Sequence, residues 1–457
     1  MPNHTLPRAR LRQAVLLALA FLPLAGAARA TDLIGITHDA LENDPTYIAA
    51  RYTQAATAEA RPQALSALLP QLNLTMADNV NRVHVNGEVF QFNQSTHSWG
   101  PSVQLTMAVF NLQNWDLLAE SQLTVAQSEA QLSQARADLL IRVAQAYFDV
   151  LASQDALAAL VENKKAVSEQ LAQAQREFEV GTKTIVDTHE AKARYDQIDA
   201  QEQVARGDLL VKQAALRAIV GHDPGPLQPL RDPVELASPK PADVEAWAHQ
   251  AEGSNFSVIA AAAGDRIAHK EVNKARDAYL PTLAATGTLQ QQRVSGQVIQ
   301  QTNGVFPLPI VTSNTSSVGL LLTIPLFTGG YTQSKLREAH AREDKAAQDL
   351  EFAKRLAAQQ ARQAYTGVDY GLAQVHALES AEVSARSQLD STRLGYQVGV
   401  RINLDVLNAN TQLFNTQRDL KKARYDFLMN GLKLKSAAGA LIDTDVEAVN
   451  SLLAKPN

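Results

Sequence analysis

Leu68-Leu69-Pro70-Gln71-Leu72-Asn73-Leu74-Thr75 and, 211 positions later, Tyr279-Leu280-Pro281-Thr282-Leu283-Ala284-Ala285-Thr286 are two versions of one phrase. Downstream the correspondence continues. Tyr147, Phe178, Val180-Gly181, Asp187, Ala191 and Gly221 recur as Tyr365, Tyr396, Val398-Gly399, Asp405, Ala409 and Gly439, now 218 positions on. The chain is therefore a doubled unit of about 200 residues, not a solenoid of short repeats. Such doubling suits a closed ring in which equivalent elements alternate around an axis.

The repeated phrase opens a stretch of alternating apolar and polar residues. Leu72, Leu74, Met76 and Val80 alternate with Asn73, Thr75, Asn79 and Asn81, and Val103, Leu105, Met107 and Val109 alternate with Gln104, Thr106 and Ala108. A weaker alternation starts at Leu283, and Val318, Leu320, Leu322 and Ile324 complete the set. Each segment reads as a strand of about 8–12 residues, the dyad pattern of a transmembrane barrel. Asn86-Gly87 marks a turn, and Trp99 stands where an interfacial aromatic belongs. Four strands are too few to close a barrel. Partners must come from other copies, and three copies would supply 12 strands around one pore.

Between the strand pairs the sequence is helical. No proline occurs from Ser102 to Asp223 or from Leu326 to Lys455, and both stretches are rich in Ala, Gln, Leu, Lys, Glu and Arg. A heptad runs Val143, Val150, Leu157, Lys164, Leu171, Phe178, broken only at Lys164, while Tyr147 and Val161, or Leu160, Val167 and Ala174, form a second seam. A helix with two seams packs on both flanks, and sustained seven-residue spacing favours supercoiling. One helix from Leu112 to Phe178 would be roughly 100 Å long. Gly181 and Gly399 sit where left-handed caps end long helices, and Asp187 and Asp405 open the return helices. These are two hairpin tips.

The expected organisation follows. Residues 1–30 form a leader. Residues 31–223 are the first copy, with strand pair 71–110 and a tip near 181. Residues 224–242 are a linker marked by Pro224, Pro226, Pro229, Pro233, Pro239 and Pro241. Residues 243–440 are the second copy, with strand pair 282–327 and a tip near 399, and 441–457 are a tail.

Arg8, Arg10 and Arg12 precede the apolar run Ala14 to Ala25, and Ala28-Arg29-Ala30 has the small residues that signal peptidase reads. The run is too short to span a membrane, so cleavage after Ala30 is expected. Its removal takes away four arginines and no acid, moving the net charge from −5 to −9. That argues against a nucleic-acid partner, whose phosphates need a basic face. The sequence has no cysteine, which excludes disulfides, thiolate metal sites, thiol nucleophiles and lipoprotein acylation. No later stretch has 18 consecutive apolar residues, so a membrane location requires a β-barrel.

No catalytic constellation stands out, and no cofactor or metal is expected. His189-Glu190 lacks the second histidine of a zinc-protease helix, and Gly329-Gly330 lacks the Lys-Ser/Thr of a phosphate loop. Glycine at a strand-to-helix corner is the better reading there.

Three stretches carry a family likeness. They are Val318-Gly319-Leu320 through Ile324-Pro325-Leu326-Phe327-Thr328-Gly329-Gly330, then Tyr396-Gln397-Val398-Gly399-Val400-Arg401-Ile402-Asn403-Leu404-Asp405-Val406-Leu407-Asn408-Ala409, and finally Ala423-Arg424-Tyr425-Asp426-Phe427 with Lys433 to Gly439. In order and spacing the chain resembles the TolC family of Gram-negative outer-membrane channels over essentially its whole length after the leader. The resemblance implies a mainly α protein with a transmembrane β part. Long helical hairpins would form a periplasmic α-barrel beneath a trimeric 12-stranded outer-membrane barrel, with an equatorial belt from the inter-repeat segment and the C-terminal end.

It also implies a passive exit duct for type I protein secretion or multidrug efflux. Its partners would be itself as a homotrimer, outer-membrane lipid, a periplasmic adaptor, and an inner-membrane ABC or proton-driven transporter. By position in the family, Tyr396 and Asp187 would link second-copy to first-copy helices at a closed periplasmic aperture. Arg401 would pair with a neighbouring tip near Asp187, and Asp405 would line the narrowest ring. Asn408 stands where relatives have a second constriction acid. Gly181 and Gly399 would mark the adaptor-facing tips. The plainer reading of Asp187 and Asp405 is as acids complementing helix N-termini.

Two rival functions remain at this point. A periplasmic adaptor would carry one hairpin and an anchor or lipid, where this chain has two hairpins and neither. A cell-envelope coiled coil with two surface hairpins leaves the leader and the matched dyad pairs unexplained.

Overall fold

The computed structural model describes residues 31–88, 91–300 and 304–454; the expected leader, residues 1–30, lies outside them. Three short helices, α1 (Leu33–Asn43), α2 (Pro45–Ala58) and α3 (Ala60–Ser66), precede the first hairpin, β1 (Gln71–Asn86) and β2 (Gln91–Phe110). Then come α4 (Leu112–Glu179) and α5 (Ile185–Val220). The second copy repeats the order with α6 (Val244–Ser254), α7 (Phe256–Asp277), β3 (Thr282–Gln300), β4 (Gly304–Thr323), α8 (Tyr331–Gln397) and α9 (Asn403–Ala437). Helix α10 (Asp443–Asn450) follows.

The strands make one antiparallel sheet in the order β1-β2-β3-β4. The two hairpins therefore join edge to edge, leaving β1 and β4 as open edges. Register sorts the sheet into two faces. Leu72, Leu74 and Met76 lie opposite Leu105, Val103 and Pro101 on β2, and Leu289, Gly287 and Ala285 of β3 continue that face to Ser316, Val318 and Leu320 of β4. The other face is mostly Gln, Asn, Thr, Ser, Ala and Gly, with Val83, Val85, Phe92 and Leu321 among the apolar exceptions. On β2 the polar face is the more covered, with Ser98 buried, while Trp99 beside it is exposed. The sheet thus curls around its polar face. Gly100 on that face fits only as glycine, because a Cβ there would fall 1.9 Å from the Gln291 carbonyl oxygen.

The strands are longer than their dyads suggest, at 16, 20, 19 and 20 residues where 8–12 were expected. Pairing with the neighbouring strand continues past the apolar alternation to Asn86 opposite Gln91 and Gln300 opposite Gly304, so the backbone ladder and not the apolar pattern sets the length.

Helices α4 and α8 are 68 and 67 residues long, about 100 Å at 1.5 Å per residue. Within the chain α4 lies between α5 and α9, and α8 packs on the far side of α9, so α5 and α8 flank the set. The heptad seam of α4 drifts. Val143 and Val150 are buried, but lower down the fully buried positions are Val167 and Ala174, and Phe178 is 43% exposed. A helix of 3.6 residues per turn rotates about 20° per heptad against a 3.5-residue repeat, enough over this length to pass the core from one seam to the other. Lys164, the heptad break, reaches Asp199 at 2.5 Å and buried Glu202 at 2.9 Å on α5.

The largest core lies midway, at the level of the inter-repeat segment. Phe148 packs edge-on to Tyr147 and stacks on Tyr425 with centroids 5.5 Å apart. The Tyr147 hydroxyl donates to the Gln228 carbonyl at 2.8 Å, pinning the linker. Thr31 pairs with Leu227 and Leu230 with Leu453 in isolated β-bridges. Residues 441–454 are not a loose tail. Leu441, Val446 and Leu453 are buried in this core, and Lys435 holds Asp445 at 2.5 Å.

Candidate functional site: the hairpin tips and the sheet lumen

Both tips are built alike because both sequences end a helix on the same glycine. In the first, Gly181 takes φ +74 and the Thr182 amide donates to the Glu177 carbonyl; in the second, Gly399 takes φ +81 and the Val400 amide donates to the Gly395 carbonyl. These bonds satisfy carbonyls that the helix end would otherwise leave unpaired. The turns expose Val180, Ile185 and Val186 in one tip and Val398, Val400 and Ile402 in the other.

Tyr396, at the end of α8, bonds one copy to the other. Its ring is 6% exposed and packs with Ala385, Leu389, Val406, Ala409 and Leu413. Its hydroxyl does not reach Asp187, as the family likeness suggested, but donates to Glu177 Oε2 at 2.6 Å. Glu177 lies in the last turn of α4, and Gln173 Nε2 donates to its other oxygen at 2.8 Å. The Lys183 ammonium stands 4.9 Å from the Tyr396 ring centroid, a cation–π contact. Burial and the Glu177 carboxylate push the Tyr396 phenol well above its ordinary range. Burial alone would raise the Glu177 carboxyl too, but its bonds from Tyr396 and Gln173 outweigh that and hold it below the usual value.

Asp187 instead accepts from Thr184 Oγ1 at 3.1 Å in the first turn of α5, and its carbonyl accepts from Asn403 Nδ2 at 3.3 Å. Arg401 turns back on its own tip, its aliphatic stem lying against Gly395 and its guanidinium 3.6 Å from Asp405. Asp405 is half-buried and Asn408 exposed, one helical turn apart on α9.

Above Tyr396 a ladder of polar bonds ties α9 to the first copy. Gln170 donates to Asn403 at 2.7 Å, Asn410 to Asn163 at 2.8 Å, and Arg194 to Thr411 at 3.0 Å. Higher still, Lys421 and the Tyr425 hydroxyl both reach Asp155, at 2.7 and 2.6 Å. Asn403, Asn163 and Asn410 are all buried. Sequence reading missed Glu177, Lys183 and these asparagines. The one available signal was polar residues standing in otherwise apolar seams.

The polar face of the sheet completes the site. Along it no described strand residue is ionisable: Gln71, Asn73, Thr75 and Asn79 on β1 face the same way as Gln104, Thr106, Thr286, Thr288, Gln290, Ser317 and Thr315. Among the described residues no group of His, Asp or Glu is placed to hold a metal ion, and no helix is long and apolar enough to cross a membrane.

Residues 36–222 and 247–440 each match the outer membrane efflux protein family, so both copies are recognised separately. The chain is 32% identical over 428 residues to outer membrane protein TolC of Vibrio cholerae, covering 94% of this chain and 95% of the relative. It is 29% identical over 432 residues to the alkaline protease secretion protein AprF of Pseudomonas aeruginosa, covering 92% and 87%. Among solved structures, the outer membrane protein VceC of Vibrio cholerae superposes with a TM-score of 0.75 at 19% identity, covering 89% of this chain and 96% of that one.

Proposed function

Because this chain belongs to the outer membrane efflux protein family, we propose that it is a passive exit duct, assembled from three copies, for material brought to it by an inner-membrane transporter and a periplasmic adaptor. It is an outer-membrane channel protein, and its relatives and structural neighbours are channels, not enzymes. The observation that carries the assembly is the four-stranded sheet. It has one apolar and one neutral polar face, and two edges without partners. In lipid an open edge leaves amides and carbonyls unpaired at several kcal/mol each, so β1 of one copy must pair with β4 of the next until the ring closes.

The helices continue the pore. The flanking positions of α5 and α8 within one chain make them the contacts between copies, so three sets of four helices close a second cylinder. The exposed valines and isoleucines around Gly181 and Gly399 give an adaptor an apolar end to grip. Tyr396, Glu177, Asp187, Arg401, Asp405 and Asn408 gather where that cylinder ends and form its gate. The secretion role of the AprF relative favours protein export as one cargo class, with efflux of small molecules as the other.

The test is fractionation followed by conductance. The mature protein should sediment with outer membranes, run as a trimer in mild detergent, and open channels in planar bilayers. Recovery as a soluble periplasmic monomer would sink the proposal.

A further inference from the structure

The strands run past their apolar band, and their charges lie on one side only. On β2 the apolar face runs from Val109 to Trp99, a rise of ten residues or roughly 33 Å along the strand, which a tilt of about 40° reduces to roughly 25 Å of height. That is one hydrocarbon thickness for this kind of membrane. The ionisable residues of the described strands are Asp78, Arg82, His84, His97 and Arg293. By register all five share the face of Trp99, and none lies on the membrane side of its row. Asp78, Trp99 and Arg293 form one row across three strands, and His97, Arg82 and His84 follow beyond it.

This edge is cationic. Its one acid, Asp78, is bonded to His97. Arg82 and Arg293 are exposed and make no hydrogen bond or ion pair with any described residue. Glu88 lies past the end of β1, beyond the edge. Strands that simply projected into water would carry charge on both faces and of both signs. Here the lumen face carries none, and the outer face carries two unpaired guanidiniums, Arg293 in the row of Trp99 and Arg82 beyond it.

We infer that Arg82 and Arg293 bind the phosphate headgroups of lipids in the outward-facing leaflet, an inference that rests on the barrel reading above. Arginine suits this role because its planar fork meets two phosphate oxygens at once and stays charged at any pH a cell meets. The apolar rows beneath hold the acyl chains of the same lipid, and Trp99 sits at the boundary between them. Threefold repetition sets such sites around the whole rim, so a ring of lipid phosphates would fix the height of the barrel in the membrane.

The test compares two forms of one glycolipid, lipid A with its phosphates and the same lipid enzymatically dephosphorylated, added to detergent-solubilised trimers and counted by native mass spectrometry. The wild-type protein should bind the phosphorylated form at least about tenfold more tightly. Arg82→Gln with Arg293→Gln should abolish that preference, and Arg82→Lys with Arg293→Lys should keep most of it. Equal binding of both lipids by the wild type, or an unchanged preference in the glutamine variant, overturns the inference. Trimer mass and conductance in bilayers of neutral lipid are read alongside. Their loss in the wild type would strike at the duct itself, whereas their survival with no headgroup preference strikes only at this site.

Discussion

The Tyr396 hydroxyl donates to the Glu177 carboxylate at 2.6 Å, joining the last turn of the second long helix to the last turn of the first. The same turn of each copy thus holds the other, so the two-copy sequence closes on itself at the tip. Asn403, bonded to the Asp187 carbonyl and to Gln170, adds to this closure in each chain, and threefold symmetry triples the set.

Tyr396→Phe should therefore loosen the tip without unfolding the chain, since the ring and its apolar neighbours stay. A bond to a charged acceptor contributes about 1.5–3 kcal/mol, so three losses shift the gate by several kcal/mol. Single-channel conductance in planar bilayers should rise. Unchanged conductance with an intact trimer would place the gate elsewhere.

The same bond sets a pH window. The Glu177 carboxyl is held below its ordinary 4.5, so its contribution is present above that value and lost as pH falls through the lowered one. The Tyr396 phenol is raised above 10.0, so its contribution is present below that value and lost as pH rises through the raised one. Conductance should be flat from about pH 5 to 10 and climb on either side. Glu177→Gln should abolish the acid limb; an identical acid limb in that variant would refute the assignment.

Asp405→Ala should leave the aperture closed yet reduce cation selectivity. The sheet's polar face carries no ionisable strand residue, so nothing there competes with a ring of three carboxylates in a narrow lumen, where the field is focused. Reversal potentials in a salt gradient would read this directly. Asn408→Asp should act in the opposite sense by doubling the ring's charge.

Tyr147 and Tyr365 occupy the same place in the two copies but differ in burial. Tyr147 is fully buried with its hydroxyl on the Gln228 carbonyl, whereas Tyr365 is half-buried with no hydroxyl partner among the described residues. Tyr147→Phe should cost about 1 kcal/mol through the lost bond to the Gln228 carbonyl, and Tyr365→Phe close to nothing. Thermal unfolding in detergent should separate the two; equal shifts would mean that the copies are interchangeable at this level.

The doubled plan, the two strand pairs, the long helices and the glycine-capped tips were all legible in the sequence, because each rests on local periodicity. Alternation at Leu72, Leu74 and Met76 follows from the two-residue repeat of a strand. Gly181 and Gly399 follow from a backbone conformation that other residues resist. Asp187 and Asp405 could be placed at helix starts for the same reason. What faces what could not be read this way. Glu177 took the place expected for Asp187 because the Tyr396 hydroxyl meets the last turn of α4 and not the first turn of α5. The drift of the α4 core from Val150 to Val167 and Ala174 accumulates over many turns and depends on where α5 and α9 lie. The burial of Asn163 against Asn410 is likewise a fact of helix packing. Local propensity acts over a few residues and is written along the chain; the partners of a side chain across helices are chosen by geometry summed over about 100 Å, and only the folded molecule states that sum.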